Sequence, residues 1–123
     1  MDTIPQDELR GHILNFLKDV KDLIYRGNLY VKPHHKNRQT LIDLGLNYRQ
    51  REDILLSLAL SNYSSGPTPD EYKTGHYWVF GKHIEKTEIY IKLKIVTYNY
   101  DNEQAVCLSF HTAEYPLNYP FRQ

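Results

Sequence analysis

Residues 77–111 read YWVFGKHIEKTEIYIKLKIVTYNYDNEQAVCLSFH, and within them Ile89, Ile91, Leu93 and Ile95 alternate with Tyr90, Lys92 and Lys94. A period of two over seven residues, rich in β-branched types, predicts a half-buried strand. Its outer face carries a tyrosine and two lysines at i, i+2 and i+4, held on a rigid platform that positions reactive groups better than a loop does. Glu85-Lys86 predicts a tight turn that pairs Phe80 with Ile91 and Trp78 with Leu93 on the buried side, and Val79 with Lys92 on the other. A four-residue loop from Tyr100 to Glu103 predicts a second hairpin. Val106, Leu108 and Phe110 then join the core face, and Cys107, Ser109 and His111 join the lysine face. In that register Lys92 lies opposite His111 and Lys94 opposite Ser109, roughly 5 Å apart between Cβ atoms. A one-residue slip would expose the apolar row.

The chain of 123 residues suits one compact domain, and 41% hydrophobic residues suffice for a core without metals or disulfides. The single cysteine, Cys107, excludes an internal disulfide and fits a reducing compartment. It reads as a small strand residue ahead of a reactive thiol. The start, MDTIPQDE, is acidic rather than signal-like and no apolar run reaches membrane-spanning length, so a cytoplasmic location and no membrane partner are expected. Net charge is zero, which argues against indiscriminate nucleic-acid binding. The distribution is uneven, however. Between Lys18 and Arg51, eight Lys or Arg stand against three acids, a local +5 that a few phosphates could neutralise. A solvated helical face is the plainer reading of the same charges.

In chain order, residues 5–26 read as a long helix whose Leu9, Ile13, Phe16, Leu17, Val20, Leu23 and Ile24 form one buried stripe, stopped by Gly27-Asn28. Leu29-Tyr30-Val31 predicts a short edge strand ended by Pro33. His34-His35 opens a basic connector, read as a surface loop rather than a metal site. A second helix is expected from Asn37 to Leu44. A third runs to about Leu60, opened by an Asn47/Gln50 capping box. Residues 61–75 (SNYSSGPTPDEYKTG) read as a flexible loop. Pro116 and Pro120 prevent a continued central strand, and Tyr115, Tyr119 and Phe121 are expected to fold back on the body. The expected class is α+β: two or three N-terminal helices packed on a C-terminal antiparallel sheet of three to four strands over residues 76–112, with an extension over 113–123.

The segments GLNYRQREDILLSL, YWVFGK, IYIKLKIV and VCLSFH, in that order and spacing, resemble the MqsR family of toxins from bacterial toxin–antitoxin systems, part of the RelE-like group of small ribonuclease folds. The likeness covers roughly residues 18–111. It implies an mRNA-cleaving endoribonuclease that needs no metal or cofactor and is inhibited by a cognate antitoxin protein, with a homodimer left open. Residue by residue, Tyr90 falls on a tyrosine of that family's active site, Lys92 on a basic position two residues on, and His111 where the family has a functional lysine. Ser64 or a neighbour stands in place of a functional lysine, and Val79 in place of a functional glutamine. The family is usually strongly basic, which this chain is not.

Metal-free RNA cleavage needs a base for the 2′-hydroxyl, an acid for the departing 5′-oxygen and positive charge for the phosphorane. His111 is the candidate acid or base, since an imidazole titrates at about 6.5. Lys92 and Lys94 are candidates for holding phosphate and stabilising developing charge. Tyr90 is expected to donate to a phosphate oxygen or stack on a base, and Glu114 to orient His111 or act as base. Lys32, Lys36, Arg38, Arg49, Arg51 and Tyr77 are the candidate RNA-binding residues. His76 and His83 read as structural or exposed. Two other classes compete with the enzyme: an inert RNA-binding relative, and a protein-interaction domain built on the eleven tyrosines.

Overall fold

The computed structural model describes residues 4–122. Its elements are α1 (Gln6–Tyr25), β1 (Leu29–Val31), α2 (His35–Leu44), α3 (Tyr48–Leu56), a single 3-10 turn (Leu60–Asn62), β2 (Tyr63–Pro69), β3 (His76–Ile84), β4 (Thr87–Asn99) and β5 (Asn102–Thr112). The sheet runs β1-β5-β4-β3-β2, with β1 parallel to β5 and the other pairings antiparallel. The α+β class and the three N-terminal helices are as expected, but the sheet has five strands rather than three or four.

The stripe on α1 buries Ile13, Phe16, Leu17, Val20, Leu23 and Ile24, as a 3.6-residue period demands. Phe16 stacks on Trp78 at 5.0 Å and on Phe80 at 6.1 Å between centroids, and Tyr63 meets both β3 rings edge-on. These contacts lock α1 to the first hairpin. The α3 capping box forms in both directions: Gln50 N–H donates to Asn47 Oδ1 at 2.8 Å, and Asn47 N–H to Gln50 Oε1 at 2.9 Å. That helix stops at Leu56, short of the expected Leu60. Helix α2 begins two residues earlier than expected, because His34 Nδ1 accepts the Lys36 N–H at 3.2 Å and caps it.

The stretch read as a flexible loop is in part a strand. Residues 63–69 form β2 at the sheet edge, where Pro67 and Pro69 cost little because an edge has unpaired N–H positions to spare. Gly66 is required there: at φ +114° its backbone lies so close to β3 that a Cβ would sit 2.9 Å from the Tyr77 carbonyl oxygen.

The first hairpin has the expected register, with Phe80 opposite Ile91, Trp78 opposite Leu93 and Val79 opposite Lys92. The second does not. The turn is shorter, with Asn99 paired to Asn102, and a bulge places Leu108 as an extra residue between Ser109, opposite Lys92, and Cys107, opposite Leu93. His111 therefore lies opposite Tyr90 rather than Lys92, and Lys94 lies opposite Val106 rather than Ser109. The bulge also reverses the faces beyond it. Ala105 and Cys107 are fully buried in the core, whereas Val106 turns to the lysine face. Burial pushes the Cys107 thiol up to about 12, so it is an inert packing group.

Past the bulge, β1 no longer covers β5, and side chains of α2 take over. Asn37, 1% exposed, accepts the Phe110 N–H at 2.9 Å and donates to the carbonyls of Lys32 (3.0 Å) and Leu108 (3.3 Å). Thr40 Oγ1 donates to Lys36 O at 2.9 Å and accepts the Thr112 N–H at 3.4 Å. One helix thus finishes the hydrogen bonding that a longer β1 would supply. Asn37→Leu leaves buried N–H and C=O groups without partners and should cost about 2–4 kcal/mol, read as a lower urea midpoint with unchanged slope.

Candidate functional site

Below the bulge the outward row of the sheet is Tyr77, Val79 and Gly81 on β3, Glu88, Tyr90, Lys92 and Lys94 on β4, and Ser109 and His111 on β5. The α1 helix covers the opposite face, and among the described residues two excursions of the chain close this side. At one end the turn after β2 lies over Lys94. At the other, residues 113–122 cross the strands: Leu117 N–H and the Tyr119 hydroxyl donate to the Glu88 carboxylate at 3.1 and 2.6 Å. A Cβ on Gly81 would collide with Leu117 and the Tyr119 hydroxyl, so only glycine lets the tail lie that close. Farther on, Phe121 packs edge-on against Tyr63 at 5.8 Å, with the Arg10 guanidinium 5.7 Å from its centroid. The expectation that the tail aromatics fold back is met by Tyr119 and Phe121.

Between these two covers, the Tyr90 and His111 rings stack with centroids 5.4 Å apart and planes inclined by 16°. His111 Nδ1 lies 3.0 Å from the Thr112 carbonyl oxygen. A carbonyl only accepts, so Nδ1 carries the hydrogen and Nε2 of the neutral ring keeps its lone pair. Burial, then Tyr77 and Tyr115, raise the Tyr90 hydroxyl above the usual phenol range, keeping it a proton donor. Lys92 extends along the sheet with Nζ 3.9 Å from the centroid of Tyr77, a cation–π contact that fixes its direction. Tyr90, His111, Lys92 and Tyr77 are thus brought together.

Lys94 is not part of that group. It is 4% exposed, and Nζ donates to Asp70 Oδ2 at 2.8 Å. Asp70 Oδ1 also accepts the N–H groups of Tyr72 and Lys73, so the pair anchors the turn and the Lys94 ammonium is committed there. The Lys94 hydrogen bond, followed by that from the Tyr72 N–H, brings the Asp70 carboxyl from the ordinary 3.8 to about 2.

The basic connector approaches from the β5 side. Lys36 Nζ bonds Glu114 Oε1 at 2.7 Å and holds that carboxyl below its usual range. The rings of the two adjacent histidines lie 4.4 Å apart between centroids. Burial, followed by His35, Lys36, Lys32 and His111, lowers the His34 imidazole. Arg38, Arg49 and Arg51 are elsewhere. Arg38 lines a separate groove with Ile42 and Tyr48, and Arg49 is exposed on α3. Arg51 is buried beside Cys107, its guanidinium 5.2 Å from the Tyr48 centroid, and is not on the open face. Ser64 lies in β2, and Val79, opposite Lys92, is buried.

Tyr90, His111, Glu114, Tyr115 and Leu117 enclose a cleft of about 200 Å³. Tyr115 and Leu117 were readable only as tail residues, and Asp70 had no signal at all, because its role depends on where a turn lands. Among the described residues no group of three His, Cys, Asp or Glu side chains is placed to hold a metal ion, and no helix is long and apolar enough to cross a membrane. No protein-family model, curated protein or solved structure matches this chain.

The Asp70–Lys94 pair has a testable pH signature. The folded-state carboxyl titrates below the unfolded one, so its contribution is complete above about pH 4 and is lost as pH falls toward about 2. Lys94→Met should lower the urea midpoint at neutral pH and flatten its acid decline; an unchanged decline would show that the pair does not anchor the turn.

Proposed function

We propose that this chain is a metal-independent endoribonuclease of the MqsR toxin kind, acting in the cytoplasm on single-stranded mRNA and restrained by an antitoxin protein. The observation that carries this reading is the Tyr90–His111 stack on an open sheet face, with the lone pair of His111 Nε2 free and Lys92 on the same row. His111 Nε2 removes the 2′-hydroxyl proton, and the 2′-oxygen attacks phosphorus. Lys92 stabilises the charge that builds on the phosphorane oxygens. The bond to the 5′-oxygen breaks, Tyr90 protonates that oxygen, and the imidazolium returns a proton to the phenolate. The products are a 2′,3′-cyclic phosphate and a 5′-hydroxyl. Lys36, paired with Glu114 three residues beyond His111, and its chain neighbours Lys32, His34 and His35 suit the neighbouring phosphates.

A second reading, RNA binding without cleavage, rests on Lys94 being committed to Asp70 and on apolar Val79 beside Lys92. One experiment separates the two. Purified protein is incubated with a defined single-stranded RNA in EDTA, and product ends are mapped. The enzyme should leave 2′,3′-cyclic phosphate ends. His111→Ala should slow cleavage by at least about 100-fold, and Lys92→Ala by about 100- to 1,000-fold, without changing the urea midpoint. Expression should arrest growth, and both substitutions should relieve the arrest. Intact RNA with salt-dependent binding would establish the second reading instead.

A further inference from the structure

The cleft beside the Tyr90–His111 stack has walls that the cleavage chemistry does not require. Its volume of about 200 Å³ lies below the roughly 300–1,000 Å³ of pockets that hold whole drug-sized ligands. One planar ring system suits that size, with any attached sugar and phosphate left at the mouth. The sheet side is the Tyr90–His111 stack. The tail side is Leu117 and Tyr115, and Tyr115 is 70% exposed, so its ring is available to a guest. The polar group is the Glu114 carboxylate. An ionised carboxylate only accepts and offers about four lone-pair sites, of which the Lys36 ammonium takes one.

We infer that, on the RNA reading proposed above, this cleft is a base-recognition subsite for one unpaired nucleobase that carries an exocyclic amino group. The base stacks against the aromatic walls and donates its amino N–H to Glu114. Adenine, cytosine and guanine meet that requirement. Uracil presents one imino N–H between two carbonyl oxygens, which the carboxylate repels. The surroundings favour a guest on a polyanion. Lys36 neutralises Glu114, and Lys92 is on the neighbouring position of the β4 row. An isolated organic cation would suit aromatic walls and a carboxylate, but would enter against those charges.

The test uses 2′-O-methyl pentauridylate and three variants with adenine, cytosine or guanine at the centre, titrated against the intact protein by fluorescence anisotropy. Their capped 2′-oxygens cannot attack phosphorus, so the outcome is independent of whether the protein cleaves RNA. The three amino-bearing oligomers should bind about tenfold more tightly than the uridine oligomer. Glu114→Gln, whose amide both donates and accepts, should reduce that preference to less than about threefold. Tyr115→Ala should weaken the amino-bearing oligomers about tenfold. Equal affinity for all four, or a preference unchanged in Glu114→Gln, would overturn the subsite while leaving the ribonuclease reading intact. Failure of every oligomer to bind would overturn both. A Glu114-dependent affinity for tetramethylammonium, with no preference among the oligomers, would make the cleft a cation cage and also overturn the inference.

Discussion

The bulge at Leu108 is the constraint on which the outer face depends. A strand of uniform pleat that turns Phe110 inward must also turn Val106 inward and Cys107 outward. The extra residue breaks that parity. It keeps Ser109 and His111 beside Lys92 and Tyr90 while burying Ala105 and Cys107. A bulge disrupts part of the ladder, and here the neighbouring groups of β5 are completed by Asn37 and Thr40 of α2. Without that helix, the β5 edge would present unpaired backbone groups where His111 must be held still.

The same arrangement explains why a chain of zero net charge can offer a cationic site. Charge is sorted by position. Asp70 is used to hold a turn, Glu88 to hold the tail, and Glu114 is paired with Lys36. Lys92 has an aromatic partner rather than an acid, so its full charge remains on the open face. The two covers divide the row into an anchored end at Lys94, a tethered end at Glu88, and the open centre at Tyr90, Lys92 and His111.

Periodicity made the local pieces legible. The stripe on α1, the Asn47/Gln50 capping box, and the first hairpin with its outward Tyr90, Lys92 and Lys94 all follow from short-range rules about pleat, turn and cap. What escaped depends on contacts between distant segments. A bulge leaves no mark on an alternating pattern, since Val106-Cys107-Leu108 is apolar at every position and reads equally well in either parity. Strand β2 escaped because Ser, Gly and Pro signal a loop unless an edge position excuses them. Lys94 had the same signature as Lys92, and only the landing place of Asp70 separates an anchor from a free cation. Arg51 was indistinguishable from Arg49 by composition, yet one is buried beside Cys107 and the other exposed.

The central claim is that the fold presents His111 as a fixed proton acceptor on the sheet face, with Nδ1–H bonded to the Thr112 carbonyl and Nε2 open. A two-bond nitrogen–proton correlation spectrum of the histidine side chains, recorded where the ring is neutral and assigned with His111→Gln, reads that directly. The account predicts hydrogen on Nδ1 and a bare Nε2 for His111. Hydrogen on Nε2 would mean that the ring is not held by Thr112, and that the acceptor on which the site is built is absent.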